Sequence, residues 1–196
     1  MKRLFDIFFS FVGLLILGPL FLFLAIWISL DSAGGVFYLQ ERVGLNGRLF
    51  KLLKFRSMRS GADKHGLLTV GMKDNRITRS GYYLRKYKLD ELPQLINVLL
   101  GEMSLVGPRP EVEKYVKVYS MAQRRVLSVR PGITDLASIK YRNENAVLES
   151  YENAEEAYLN IVMPDKLKLN LEYIDTRNMI LDIRIILTTI LPISFV

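Results

Sequence analysis

Two adjacent carboxylates, Asp90 and Glu91, are the residues of this chain best suited to chemistry. Apolar side chains follow at helical spacing from Leu92 to Leu100, with Pro93 near the front, so the pattern predicts a helix with Asp90 as its N-cap. The positive end of a helix suits phosphate binding, a carboxylate pair favours Mg²⁺, and an Asp carboxylate can itself attack phosphorus. The alternative interpretation is an ordinary N-cap with an acidic first turn.

Cationic side chains surround this pair in the sequence. Arg85 precedes it, and Arg109 follows between two prolines, whose restricted backbone lowers the entropy that Arg109 loses on binding an anion. Lys54 and Arg56 alternate with apolar residues, which is typical either of phosphate contacts or of a basic edge that faces solvent or lipid. A rigid surface turn is the alternative for Arg109. Taken together, the residues indicate phosphoryl transfer, in which Arg, Lys and a divalent ion stabilise charge on the phosphoryl oxygens.

The composition excludes several other chemistries. The chain has no Cys and a single His, His65, which rules out thiolate metal sites and His-cluster zinc sites and makes a Ser-His-Asp triad improbable. Its 196 residues are enough for one domain with a core plus an appendage. The net charge of +7 favours anionic partners, namely a membrane surface, nucleic acid or phosphorylated substrates.

Residues 4–30 are almost entirely apolar and long enough for a membrane-spanning helix of about 20 residues. Pro19 follows Gly18 in the middle of this run, where it should kink or break the helix. Positive residues mark the cytoplasmic side of a membrane, and here they flank the run at both ends. A re-entrant hairpin satisfies both ends, whereas a straight span satisfies one. A cleaved signal peptide is disfavoured because the run is too long and carries Asp6.

The remaining chain predicts a mostly helical α+β domain over residues 32–196. Two β-prone runs, 36–40 and 48–52, flank a Gly/Asn turn and predict a β-hairpin. Residues 61–71 have loop composition. We expect helices over residues 111–127 and from residue 166 onward, and a solvated helix over residues 149–159. Residues 179–191 are too short to span a bilayer and predict a core or interfacial helix, and the apolar C-terminus after it suits contact with lipid.

An ordered set of motifs resembles the bacterial sugar transferase family, the small monotopic phosphoglycosyl transferases. The resemblance extends almost from end to end, through residues 2–6, 40–44, 54–58, 77–81, 89–94, 103–110 and 129–134. They include Leu89-Asp90-Glu91-Leu92-Pro93-Gln94 and Val129-Arg130-Pro131-Gly132-Ile133-Thr134. Each motif alone is weak, but the set with these spacings is specific.

The resemblance implies a membrane-bound transferase with a two-step reaction. Asp90 would attack the β-phosphorus of a UDP-sugar, release UMP and pass the phosphosugar to polyprenyl (undecaprenyl) phosphate, the first step of a glycoconjugate or exopolysaccharide pathway. Glu91 would assist as a base or a supporting partner, and Mg²⁺ would bind Asp90. Lys54, Arg85, Arg109 and Arg142 match family residues placed at the phosphates.

The resemblance also implies location and partners. Residues 1–31 would form a re-entrant membrane helix broken at Gly18-Pro19, with both ends and the catalytic domain on the cytoplasmic face of the bacterial inner membrane. Membrane lipid is an expected partner and nucleic acid is not. Glycosyltransferases that extend the product are compatible further partners, and both a monomer and a homo-oligomer are compatible with the sequence.

Three positions depart from the family pattern. Gly18 replaces the usual Ser before the membrane proline, Asp135 stands where Gly is usual, and Asn170 stands where Asp is usual. Asn170 is therefore not expected to be a site residue. Two rival functions stay open from sequence: a membrane-tethered basic binding or scaffold protein without catalysis, and a single-step transferase in which Asp90 only binds metal.

Overall fold

The structure is a computed structural model and describes residues 1–62 and 74–191. Its elements are mostly helical, with two pairs of short strands. The helices are α1 (Lys2–Asp31), α2 (Arg79–Lys86), α3 (Gln94–Leu100), α4 (Glu113–Val116), α5 (Leu136–Lys140), α6 (Glu144–Glu149), α7 (Ala154–Ala157), α8 (Met163–Thr176) and α9 (Met179–Ile190). The strands are β1 (Phe37–Val43), β2 (Leu49–Phe55), β3 (Ser104–Val106) and β4 (Gly132–Thr134). The predicted fold class, mostly helical α+β, is confirmed.

Helix α1 is 30 residues long and runs through Pro19 without interruption. It is the one helix in the described part of the chain that is long and apolar enough to cross a membrane. Its large apolar side chains are mostly exposed, whereas Asp6 and Ser10 are buried against the rest of the protein. The expected break at Gly18-Pro19 is therefore not an interruption of the helix, and the re-entrant topology stays a prediction.

The start of α1 is attached to the globular part by polar contacts. Arg3 donates to the carbonyl oxygens of Val98 and Leu99 at the end of α3, at 2.6 and 3.0 Å. The Asp6 carboxylate accepts from the Leu105 backbone N–H at 3.1 Å. These contacts complete the free carbonyls of a short helix and fix the first two turns of α1 against it.

The end of α1 contacts the same globular part. Leu24 and Ile28 pack with Phe55 and Leu84 in one buried cluster. The Asp31 carboxylate accepts from the Ser80 backbone N–H and hydroxyl, at 2.9 and 2.8 Å. Both termini of the apolar helix are thus held by one domain.

Strands β1 and β2 form the predicted β-hairpin. They pair antiparallel from Phe37 opposite Phe55 to Val43 opposite Leu49. The connecting turn places Asn46 and Gly47 at positive φ, 55° and 76°, which Asn and Gly tolerate best. The hairpin prediction is confirmed. The hairpin was predictable because its Gly/Asn turn and its β-prone flanks are both local signals.

The predicted N-cap at Asp90 is wrong. Asp90 lies in a separate 3₁₀ turn, Leu89–Glu91, and α3 begins only at Gln94 with Pro93 as its N-cap. Pro93 has no backbone N–H and suits the start of a helix, so the regular helix begins after it. The carboxylates therefore lie one turn before the helix.

Strands β3 and β4 form a parallel pair that the sequence did not predict, with Ser104 opposite Gly132. The two backbone segments approach so closely that a Cβ at Gly132 would lie 2.1 Å from the Gly107 nitrogen. Glycine is required there because any side chain would clash with backbone.

The C-terminal half is more broken than expected. The helix predicted over 111–127 is reduced to α4 and a 3₁₀ segment, Gln123–Ser128. The solvated helix predicted over 149–159 is confirmed only in part. The short helix α7, Ala154–Ala157, lies within that range, but α6 ends at Glu149 and Tyr158 is buried in a π-helical turn, Tyr158–Val162. Helices α8 and α9 agree with the prediction. Most of the predicted loop at 61–71 and most of the apolar C-terminus lie outside the described residues.

Candidate active site

The carboxylate of Glu91 lies between two cations that come from different elements. Strand β2 brings the Lys54 ammonium to 3.6 Å from Glu91 Oε1, and the segment after β3 brings the Arg109 guanidinium into a direct ion pair with the same oxygen. Burial alone would raise the pKa of Glu91, but Arg109 and Lys54 outweigh it and lower the pKa to about 2. Glu91 is therefore ionised at neutral pH and is a weak base.

The adjacent Asp90 differs from Glu91 in its hydrogen bonding and in the direction of its pKa shift. It is 9% exposed, and its carboxylate accepts no hydrogen bond from the residues that the structure describes. Burial and the negative charge of Glu91 raise its pKa to about 6, against the lowering effect of Lys54, Arg85 and Arg109. A carboxylate without a partner, ionised at neutral pH and poorly solvated, is suited to nucleophilic attack.

Arg109 is held in place along its whole length. Its backbone N–H donates to Asp135 Oδ2 at 3.0 Å, and its guanidinium donates to the Ile133 carbonyl at 3.3 Å as well as to Glu91. Asp135 is fully buried and also caps α5, since its Oδ1 accepts from the Ser138 N–H at 2.5 Å. The guanidinium is thereby fixed beside the carboxylate pair before any anion binds.

An open cleft of about 1570 Å³ extends from the carboxylate pair between β2, α2, α5 and α8. Arg85 and Arg142, both predicted from sequence, lie on its walls. Arg142 donates to the carbonyl oxygens of Thr188 and Thr189 at the end of α9, at 2.9 and 3.0 Å. The predicted residues Lys54, Arg85, Asp90, Glu91, Arg109 and Arg142 are thus brought to one cleft, whose cations suit a diphosphate.

Arg56 has a different position from that expected of a phosphate ligand. It is buried at the edge of the cleft, and its guanidinium donates to the carbonyl oxygens of Ala33 and Ser32, at 2.7 and 2.6 Å. Gly34 packs onto it so closely that a Cβ there would lie 1.9 Å from Arg56 Nη1. The guanidinium therefore closes the end of α1 at the edge of the cleft. Its predicted contact with a substrate phosphate stays a prediction.

Lys88 was missed as a site residue. It lines the cleft one residue before the 3₁₀ turn, and its backbone is left-handed, with φ 55°. Burial lowers its pKa, while Glu91 raises it. A non-glycine residue at positive φ is uncommon, and only the structure shows it, because the local sequence Tyr87-Lys88-Leu89 carries no turn signal.

The described residues suit Mg²⁺ only if the substrate and water supply further ligands. No group of three or more His, Cys, Asp or Glu side chains converges among residues 1–62 and 74–191. Glu91 is engaged by cations, whereas the Asp90 carboxylate beside it has no hydrogen-bond partner among the described residues and is available as an oxygen ligand. Mg²⁺ is often bound by one or two carboxylates together with substrate phosphates and water, and these residues fit that arrangement.

Comparisons with known proteins identify relatives over almost the whole chain. The family described as bacterial sugar transferase matches residues 1–195. The chain is 42% identical over 202 residues to a galactosyl transferase, CpsE, of Streptococcus agalactiae serotype III, covering 96% of this chain and 41% of that protein. It is 39% identical over 194 residues to the UDP-glucose:undecaprenyl-phosphate glucose-1-phosphate transferase of Xanthomonas campestris pv. campestris, covering 96% of this chain and 37% of that one.

A third relative acts on another sugar. The UDP-N-acetylgalactosamine-undecaprenyl-phosphate N-acetylgalactosaminephosphotransferase of Aeromonas hydrophila is 41% identical over 143 residues, 70% of this chain and 33% of that protein. The chain therefore spans about two fifths or less of the length of these three relatives. Because the family match covers nearly every residue, this chain belongs to the bacterial sugar transferase family.

Proposed function

We propose that this protein transfers a phosphosugar from a UDP-sugar to polyprenyl phosphate at a membrane, through a covalent intermediate on Asp90. The observation that carries the proposal is the buried Asp90 carboxylate, free of hydrogen bonds in the described chain, beside the Glu91–Arg109–Lys54 ion cluster. The names of relatives that use UDP-glucose or UDP-N-acetylgalactosamine and undecaprenyl phosphate support the choice of substrates.

In the first step, an Asp90 oxygen bonds to the β-phosphorus of the UDP-sugar. The bond from that phosphorus to the oxygen bridging the α-phosphorus breaks, and UMP leaves with the bridging oxygen and the electron pair. The product is an acyl phosphate that carries the sugar on Asp90. Arg85, Arg109 and Arg142 stabilise the negative charge on the phosphoryl oxygens as it is redistributed.

In the second step, a phosphate oxygen of polyprenyl phosphate attacks the phosphorus of this adduct. The bond between phosphorus and Asp90 breaks, which regenerates the carboxylate and yields a polyprenyl-diphosphate-sugar. Glu91 stays ionised and positions Lys54 and Arg109, a role that agrees with its lowered pKa better than general-base catalysis does. Mg²⁺ bound to Asp90 and substrate phosphates would supply additional charge neutralisation.

Mass spectrometry of the protein mixed with a UDP-sugar and Mg²⁺, without lipid, tests the covalent step. We expect an added phosphosugar mass on Asp90 and release of UMP, and Asp90→Asn should give neither. UMP release only after polyprenyl phosphate is added would indicate a single-step transfer. A panel of UDP-glucose, UDP-galactose and UDP-N-acetylgalactosamine covers the sugars named for the relatives. A protein that neither gains mass nor loads lipid with any of them would contradict the proposal.

We also propose that α1 enters the membrane without crossing it, so that both of its ends lie on the same, cytoplasmic, face. A straight helix of 30 residues is about 45 Å long and exceeds the hydrocarbon thickness of about 30 Å. A spanning α1 would place Arg3 and Asp31 on opposite sides of the membrane. Both residues form hydrogen bonds with the same domain, Arg3 with Val98 and Asp31 with Ser80. One folded polar domain cannot lie on both sides of a bilayer.

Cysteine labelling tests this topology, because the chain has no native cysteine. Lys2→Cys and Asn46→Cys should both react with a membrane-impermeant maleimide only after cells are opened. Ile16→Cys, on an exposed apolar position of α1, serves as the control that lipid protects in either topology. Labelling of position 2 from outside intact cells would show that α1 spans the membrane.

A further inference from the structure

Asn170 is a buried polar residue in the cleft for which the fold gives no partner. It lies on α8, is 4% exposed, and lines the cleft that contains Asp90. Its Oδ1 atom is buried and has no hydrogen-bond partner in the described protein. A buried acceptor without a donor destabilises the folded state, so its retention calls for a donor from elsewhere.

The polar neighbours of Asn170 along α8 are already engaged. Lys166, one turn earlier, donates to Glu144 Oε2 at 2.8 Å. Tyr173, almost one turn later, donates its hydroxyl to Asp182 Oδ1 at 2.6 Å. Leu167, which shares this face, is apolar and buried. None of these neighbours donates to Asn170, and the cleft is the open space that its side chain lines.

We propose that Asn170 accepts a hydrogen bond from a neutral N–H or O–H group of the UDP-sugar and so selects the substrate. This inference rests on the function proposed above. The phosphates are matched by cations, namely Arg85, Arg109 and Arg142, whereas a carboxamide matches uncharged groups. Such donors occur in a UDP-sugar as the uracil N–H, as the ribose hydroxyls and as the hydroxyl or acetamido groups of the sugar. Polyprenyl phosphate has no comparable neutral donor.

Asn170→Leu tests the inference, since leucine has a similar volume and cannot accept a hydrogen bond. We expect the full-length variant to unfold at the same or a higher temperature, because an unpaired buried polar group is removed. We expect its substrate affinity to fall by about three- to tenfold, the effect of one lost hydrogen bond. Asn170→Asp, which keeps an acceptor oxygen, should retain more affinity than Asn170→Leu. Ser10→Ala is the matched control, because it removes another unpaired buried polar group outside the cleft.

Two measurements distinguish the sources of the donor. Calorimetric titration with UMP reports on the uracil and the ribose, and the KM for UDP-glucose, UDP-galactose or UDP-N-acetylgalactosamine reports on nucleotide and sugar together. Weaker UMP binding assigns the donor to the uridine, and a raised KM with unchanged UMP binding assigns it to the sugar. UMP affinity and KM within about 1.5-fold of the unmodified protein, or an Asn170→Asp variant no better than Asn170→Leu, would overturn the inference.

Failure of this inference is distinguishable from failure of the proposed function. If the unmodified protein binds UMP and turns over a UDP-sugar while the variants match it, only the role of Asn170 is refuted. If the unmodified protein neither binds UMP nor uses any UDP-sugar, the transferase function is refuted and the role of Asn170 falls with it. Should Asn170→Leu fail to fold, Asn170→Ala is used for the same two measurements.

Discussion

The Asp135 carboxylate holds Arg109 by its backbone, with Oδ2 accepting from the Arg109 N–H at 3.0 Å, while Oδ1 caps α5. One buried side chain thus sets the position of the guanidinium beside Glu91 and the start of the helix that carries the cleft wall. Asp135 therefore links the segment after β3, the end of β4 and the start of α5.

Asp135→Ala should therefore affect stability and reaction rate together. Loss of the cap should lower the free energy of unfolding by about 1–2 kcal/mol. Release of the Arg109 backbone should slow adduct formation on Asp90 by about tenfold, because the guanidinium is no longer held in place. Thermal unfolding and the rate of UMP release measure the two effects.

Asn178→Ala is the control for this prediction. Asn178 caps α9 by accepting from the Leu181 N–H at 2.9 Å, at the end of α9 remote from Arg142. It should lose comparable stability and keep the rate of UMP release. Equal slowing by both variants would show that Asp135 acts only through stability.

Protonation of Asp90 should control adduct formation. Because its pKa is raised to about 6, the carboxylate is mostly ionised above pH 7 and mostly protonated below pH 5. Only the ionised form can attack phosphorus, so the single-turnover rate of UMP release should rise with pH and reach half its maximum near pH 6. A rate that does not change between pH 5 and pH 8 would contradict the assignment of Asp90 as nucleophile.

Glu91→Gln should shift this pH profile. The negative charge of Glu91 raises the pKa of Asp90, and its removal also frees Lys54 and Arg109 to attract the Asp90 carboxylate. The midpoint of the UMP-release profile should move to lower pH, while the maximal rate falls by about tenfold or more because Arg109 loses its partner. A midpoint that moves upward would show that Glu91 supports the reaction by another route.

The fold and the candidate site could be predicted from the sequence where the signals are local. The hairpin follows from its Gly/Asn turn, and the Asp90–Glu91 pair and Arg109 were found from residue type and flanking prolines. The pairing of β3 with β4 was not predictable, because two three-residue strands far apart in the chain carry no pairing signal of their own. The hydrogen bond between Asp135 and Arg109 was not predictable either, because the two residues lie 26 positions apart in the chain.

Asp90→Asn should stabilise the protein while abolishing the adduct. A carboxylate whose pKa is higher in the folded state than in the unfolded state binds protons more tightly when folded, so its ionisation destabilises the fold at neutral pH. The amide removes this effect, and the free energy of unfolding at pH 7.5 should rise by about 1–3 kcal/mol. The gain should shrink as the pH falls from 7 towards 4, where both states are protonated.

Chemical denaturation of Asp90→Asn in detergent micelles across this pH range measures the gain. Asp175→Asn serves as the control, because Asp175 is an exposed carboxylate paired with Arg125, and its loss should change stability little. A destabilised Asp90→Asn variant at pH 7.5 would mean that the folded protein already stabilises the ionised carboxylate.

Arg56 should prove to be a residue of stability and not of substrate binding. Arg56→Ala removes the donors that complete the carbonyls of Ser32 and Ala33 at the end of α1. The free energy of unfolding should fall by about 2–4 kcal/mol, since charged hydrogen bonds in a buried site are lost. Arg56→Lys should recover little of this, because a single ammonium cannot reproduce the fork of a guanidinium.

Arg85→Ala provides the contrasting variant, because Arg85 lines the cleft near Asp90. It should weaken UMP binding by about tenfold with little loss of stability, whereas folded Arg56→Ala at low temperature should bind UMP with unchanged affinity. Calorimetric titration of both variants with UMP decides the matter. If Arg56→Ala loses UMP affinity to the same degree as Arg85→Ala, then the guanidinium of Arg56 reaches the nucleotide, and the end of α1 rearranges when substrate binds.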